Sequence, residues 1–186
     1  MAQHSILTTE EFRTVLTPQT VRQIQILQLA LTAAPVVFFG GAIALSLMQV
    51  SGKPVGTDTV PVLSALNGFL ALLSYAGAYL LPAAHFSPKR VRAFVFAAEG
   101  PSQADRSLIL IRNAAIIRLA ILEGSALFGV AVCLVAVTSG ALESSPEYWL
   151  NALPVLVLLI ASQLTFPTEE RLARMFEQRI ASVPGS

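Results

Sequence analysis

The stretch "RLAILEGSALFG", Arg118 to Gly129, sets a carboxylate, Glu123, and a guanidinium, Arg118, in an otherwise apolar run. A carboxyl in such surroundings has few chemical uses. It can take up and release a proton, hold a cation, or hydrogen-bond a neighbouring helix. Ionisable groups at membrane depth are costly, and by default they mark function. Pairing within the run is poor. Five residues separate Arg118 from Glu123, about 140° around a helix, whereas side chains that face each other are three or four apart. Glu123 must therefore find neighbours on other segments, stay protonated or bind a cation.

Those segments follow from composition. The chain has 186 residues, 54% hydrophobic and only 12% charged. A soluble domain carries about 25% charged residues, so lipid is the main solvent. Four apolar runs stand out, at about 24–50, 61–82, 113–137 and 149–166. About 20 apolar residues cross the hydrocarbon core as a helix. Tyr148 and Trp149 supply interfacial anchors for the fourth and shortest run. The expected fold is all-α: an integral membrane protein of four transmembrane helices arranged as two hairpins. Short amphipathic cytoplasmic helices accompany them.

The acidic start, with Glu10 and Glu11, does not read as a cleavable signal, so the first run is expected to remain as an anchor. Basic residues cluster in segment 1–23, in the loop 83–112 and in the tail 167–186, which together hold ten of the twelve Lys and Arg. The positive-inside rule then places both termini and the long loop in the cytoplasm, as in a bacterial inner membrane protein. Net charge is only +1, which gives no field to recruit nucleic acid. The expected partners are the bilayer, anionic lipids in particular, and another membrane protein or a second copy. Lys89, Arg90 and Arg92, in "SPKRVRAFVFAA", are the candidate headgroup contacts. In the tail, Leu172, Met175, Phe176 and Ile180 share one helix face, which suggests a helix lying on the membrane surface. Thr17 before Pro18 and Thr168 before Glu169 read as helix caps.

Depth matching suggests what surrounds the charges. Glu123 lies ten residues past Asn113, about 15 Å into a core about 30 Å thick. At its level fall Thr32, Ser74 and Tyr75. At the level of Arg118 fall Gln28, Tyr79, Ser162 and Gln163, a second polar layer. Ala120 with Gly124, and Ser125 with Gly129, are small residues four apart that let another helix approach. A faint internal repeat aligns Arg22 with Arg112 and Asn67 with Asn151, as if the second hairpin were a copy of the first in the same orientation. Glu123 then corresponds to Ala33, so only one copy carries the carboxylate.

The segment Arg118 to Val137, "RLAILEGSALFGVAVCLVAV", resembles the carboxylate helix of the rotary ATPase proteolipid, the c subunit. The resemblance covers one helix and implies a proton- or sodium-binding role for Glu123, with Gly124 and Gly129 permitting close packing. Three features depart from that family. The first helix has only Gly40 and Gly41 in place of a glycine run, the expected orientation is opposite, and the loop and tail are longer. Otherwise the chain looks like a bacterial four-helix membrane protein.

Two readings follow. In the first, Glu123 binds a proton or cation in or beside ion translocation. In the second, the protein is a non-catalytic scaffold or complex subunit and Glu123 is a structural hydrogen-bonding residue. An enzyme is not expected, because no nucleophile, base or paired-carboxylate set converges at one depth. His4, His85 and Cys133 lack ligand spacing, so no metal and no cofactor is expected. Cys133 reads as a small buried hydrophobe.

Overall fold

The computed structural model describes residues 7–48, 59–97 and 100–183. No strand occurs among them. The helices are α1 (Thr9–Val15), α2 (Pro18–Leu47), α3 (Thr59–His85), α4 (Pro88–Val95), α5 (Gln103–Thr138), α6 (Ala141–Ser144), α7 (Leu153–Leu164) and α8 (Glu169–Phe176). A 3-10 segment, Pro146–Ala152, leads into α7. Among the described residues four stretches are long and apolar enough to cross a membrane: α2, α3, α5, and Pro146–Leu164 taken together. The protein is thus an all-α, multi-pass integral membrane protein.

Several boundaries differ from the sequence reading. The end of the first span at 49–50, and Lys53 and Asp58 after it, lie outside the described residues. α3 runs through Pro82 to His85 instead of ending at the proline. In a last turn a proline forfeits little more than its own helical bond, and the helix tolerates that. α5 starts at Gln103, ten residues before the apolar run. Ser102 nucleates it: its Oγ accepts from the Asp105 N–H at 3.1 Å and donates to Asp105 Oδ2 at 2.6 Å. With 36 residues, α5 is about 54 Å long, far more than a bilayer core requires. The fourth span is split by Pro154, which has no N–H and whose ring crowds the carbonyl four residues earlier. The chain before it adopts the tighter 3-10 winding.

Contacts divide the chain into two compact units. The first comprises Met1–Gln28, Tyr79–Arg118 and Phe166–Ser186. It holds every basic residue except Lys53 and seven of the eleven acids, a formal charge of +4 from eleven cations. Its core is built by three segments distant in sequence. Phe12 of α1 and Leu16 just after it, Val91 and Val95 of α4, Ile111 of α5, and Leu172, Phe176 and Ile180 of the tail are all buried together. The rings of Phe12 and Phe176 stack with centroids 4.4 Å apart and planes 9° apart. Arg13 and Glu169 pair at 3.7 Å on the exposed side.

The tail expectation is corrected here. The apolar face of α8 does not lie on lipid. Leu172, Phe176 and Ile180 face protein, and only Met175 on that stripe is partly exposed. A period of 3.6 reports that a face is covered, not what covers it.

The caps form as expected. Thr17 Oγ1 accepts from the Thr20 N–H at 3.2 Å, and Thr168 Oγ1 from the Arg171 N–H at 3.3 Å. A capping box between Thr8 and Glu11 starts α1. The C-terminal end of α4 is held by Arg106, a buried cation whose guanidinium donates to the carbonyls of Ala97 at 2.6 Å and Phe94 at 3.4 Å. A positive group suits the negative end of a helix.

The second unit comprises Leu29–Ala78 and Leu119–Thr165. Leu119, Leu122, Ala126 and Val130 of α5 pack with Ala78 of α3 and with Val155 and Leu158 of α7. Large apolar side chains such as Val37, Phe38, Phe69, Leu72, Ile160 and Leu164 are exposed, which suits a surface solvated by acyl chains.

Candidate functional site

Glu123 sits on α5, partly exposed, and makes no hydrogen bond or ion pair among the described residues. The geometry of α5 explains why. Ile121 meets α3, its Cγ2 lying 3.8 Å from where a Cβ on Gly77 would stand. Glu123 is two residues further on, about 200° around the helix. The side of α5 that meets α3 at Gly77 is therefore not the side that carries Glu123. Tyr75 packs against the apolar core of the unit, and Ser74 is partly exposed.

Thr32, the third residue expected beside the carboxylate, is buried and donates to Ser162 Oγ of α7 at 3.1 Å. The structure thereby joins a residue expected in one polar layer to one expected in the other. Gln28 is buried and Tyr79 is exposed. Gln163 is exposed and takes part in a polar interaction. Arg118 is partly buried, and its Nε is shielded without a hydrogen-bond partner among the described residues.

The small residues divide between two faces of α5. Ser125 and Gly129 point inward, and the buried Oγ of Ser125 has no partner among the described residues. Ala120 and Gly124 are exposed, and a Cβ added at Gly124 would meet nothing within 4 Å. At Gly129 the opposite holds. A Cβ there would collide with the carbonyl oxygen of Asn151, and Asn67 Nδ2 would be 3.3 Å away.

That collision marks a polar cluster that depth matching missed. Asn67 Nδ2 of α3 donates to both the carbonyl and Oδ1 of Asn151, each at 3.1 Å. Asn151 Nδ2 in turn donates to Ser64 Oγ and to the Tyr148 carbonyl, each at 2.9 Å. Both asparagines are buried, and Asn67 Oδ1 has no partner among the described residues. The sequence signal existed, since an asparagine interrupts each of two apolar runs. Pro154 supplies the local cause. It has no N–H to return to the Asn151 carbonyl at 3-10 spacing, and the Asn67 amide satisfies that carbonyl instead.

Lys89, Arg90 and Arg92 are exposed on α4, opposite the buried Val91 and Val95. Cys133 is fully buried, its thiol directed to the Tyr148 carbonyl at 3.6 Å. Among the described residues no group of three or more His, Cys, Asp or Glu could hold a metal ion.

Fold and site together define a multi-pass, all-α membrane protein. Its spanning helices are joined by buried amides, and it carries one carboxyl left open on α5. Compared with family models, curated proteins and solved structures, the chain matches none.

Proposed function

We propose that the protein is a non-enzymatic inner-membrane subunit that takes up and releases a proton at Glu123, in or beside ion translocation. The supporting observation is the open state of that carboxyl, which stands on a spanning helix and has no hydrogen bond or ion pair among the described residues. A metal cation asks for several oxygen ligands, and neither Thr32, Ser74 nor Tyr75 is bonded to Glu123. A proton asks for one oxygen. The local likeness to the proteolipid carboxylate helix points the same way. The concentration of basic residues in the first unit favours cytoplasmic termini in a bacterial inner membrane.

The test is carbodiimide labelling of the full chain in proteoliposomes across pH, with and without sodium. Labelling at Glu123 that falls with rising pH and ignores sodium is the expected result. Protection by sodium would replace the proton with a cation, and labelling independent of both would end the ion-site reading.

A second reading draws on the open ridge of Ala120 and Gly124 beside Glu123. Small residues four apart let a second helix approach, and a protonated carboxyl beside them can bond across that approach. The protein is then a scaffold or complex subunit, docked to another membrane protein or to a second copy. Glu123→Gln separates the readings. It abolishes proton exchange but leaves a docking bond in place.

A further inference from the structure

A cleft of about 100 Å³ opens in the first unit between the start of α2 and the start of α5. Ile24, Leu27, Leu108 and Ile109 give it an apolar floor, and Thr20, Gln23 and Arg112 line it with polar groups. Arg112 is exposed and has neither ion pair nor hydrogen bond among the described residues, and Gln23 is likewise unengaged. Among the described residues no carboxylate lines the cleft. Both bordering helices continue as membrane-spanning segments. Arg22 is the last charge on α2, and Arg112 directly precedes the apolar run of α5 that begins at Asn113. The cleft therefore sits where each helix passes from polar to apolar sequence, which is headgroup depth.

We propose that this cleft binds an anionic phospholipid. The Arg112 guanidinium takes the phosphate, and Gln23 and Thr20 face the glycerol and ester oxygens. The upper methylenes of one acyl chain cover Ile24, Leu27 and Ile109. The volume is too small for a whole lipid, so the tails stay in the bilayer. Net negative headgroups are preferred for a physical reason. A choline or ethanolamine would bring a cation next to Arg112 with no carboxylate to receive it. Basic clefts between spanning helices are known sites for such headgroups. The site is separate from the exposed Lys89, Arg90 and Arg92 of α4 and independent of Glu123.

Native mass spectrometry of the full chain in mild detergent tests the proposal, with phosphatidylglycerol or phosphatidylcholine titrated in. One tightly held phosphatidylglycerol per chain is expected, with phosphatidylcholine weaker. Arg112→Gln should weaken the first phosphatidylglycerol about fivefold, the loss of one basic contact to an anionic lipid. Replacing Lys89, Arg90 and Arg92 with glutamine should leave that first adduct unchanged. Ile109→Trp keeps Arg112 but fills the cleft, and it should also displace the lipid, which decides the matter if the arginine variant does not fold. Equal binding of the two lipids would overturn the proposal, and so would loss of the adduct only in the α4 triple variant. Displacement by inorganic phosphate would make the site one for a free anion and not for a lipid.

Discussion

Asn67 and Asn151, 84 residues apart, are hydrogen-bonded to each other inside the membrane unit. They are also the two positions that the faint sequence repeat superposes. Equivalent residues of two copies meet when the copies pack about a shared axis, and parallel duplications in membranes provide such an axis. The pair accordingly ties α3 to the segment before α7 with side chains that apolar packing alone would not call for. In lipid the polar groups of such a cluster have few alternatives to each other.

The first prediction concerns that pair. Asn67→Leu and Asn151→Leu should each destabilise the folded protein, and the double variant should cost less than their sum. Interhelical hydrogen bonds in membranes average about 0.6 kcal/mol and reach about 1.7 kcal/mol by double-mutant cycles. The bidentate geometry places this pair toward the upper figure. Unfolding equilibria in mixed micelles measure the coupling, and strict additivity would show that the two amides do not act together.

Gly129 and Gly124 should respond oppositely to alanine. The Gly129 Cα faces the Asn151 carbonyl, so a methyl forces α7 and its lead-in segment away from α5. Overpacking of this kind costs about 1–3 kcal/mol. Gly124 faces open space, and Gly124→Ala should leave unfolding unchanged or slightly harder. The same unfolding assay reports both. Equal effects would mean that the close approach at Gly129 does not constrain the fold.

Phe176→Ala should loosen the basic unit and spare the spans. Its ring is fully buried and stacked on Phe12, and such truncations cost about 3–5 kcal/mol. Hydrogen exchange should rise in Thr9–Val15 and Pro88–Val95, whose side chains share that core. The spanning part of α5 should stay protected. Truncation after Thr168 should act the same way and more strongly. Unchanged exchange in Thr9–Val15 would return the tail to a membrane-surface role.

The spans were legible because long apolar runs with two charges at most have few other homes. The caps at Thr17 and Thr168 were legible because they are local chemistry. The capping box Thr8–Glu11 and the Ser102–Asp105 start of α5 were equally local, yet the sequence reading named neither as a helix start. The basic unit itself was not legible. Its core joins Phe12, Val91, Ile111 and Phe176, and nothing in a periodic apolar stripe distinguishes a protein neighbour from an acyl chain. Depth alone placed Thr32, Ser74 and Tyr75 near Glu123. Depth fixes height in the bilayer but not azimuth around α5, and Thr32 bonds to Ser162 instead of the carboxylate.

The last prediction tests orientation through thiol access. Cys133 is fully buried on α5, so membrane-impermeant maleimide should leave the wild-type chain unlabelled from either side. Ser144 ends α6 and is exposed, and Arg174 is exposed on α8. Ser144 belongs to the connection poor in basic residues, whereas Arg174 belongs to the unit that holds all Lys and Arg but Lys53. Positive charge is retained on the cytoplasmic side during insertion. Ser144→Cys should therefore react in intact cells, and Arg174→Cys only after permeabilisation. The native thiol, silent in both conditions, serves as the internal control for leakage and unfolding. The reverse pattern at the two new cysteines would place the basic unit outside and invert the topology. It would also move the proposed lipid cleft to the opposite leaflet, leaving its chemistry unchanged.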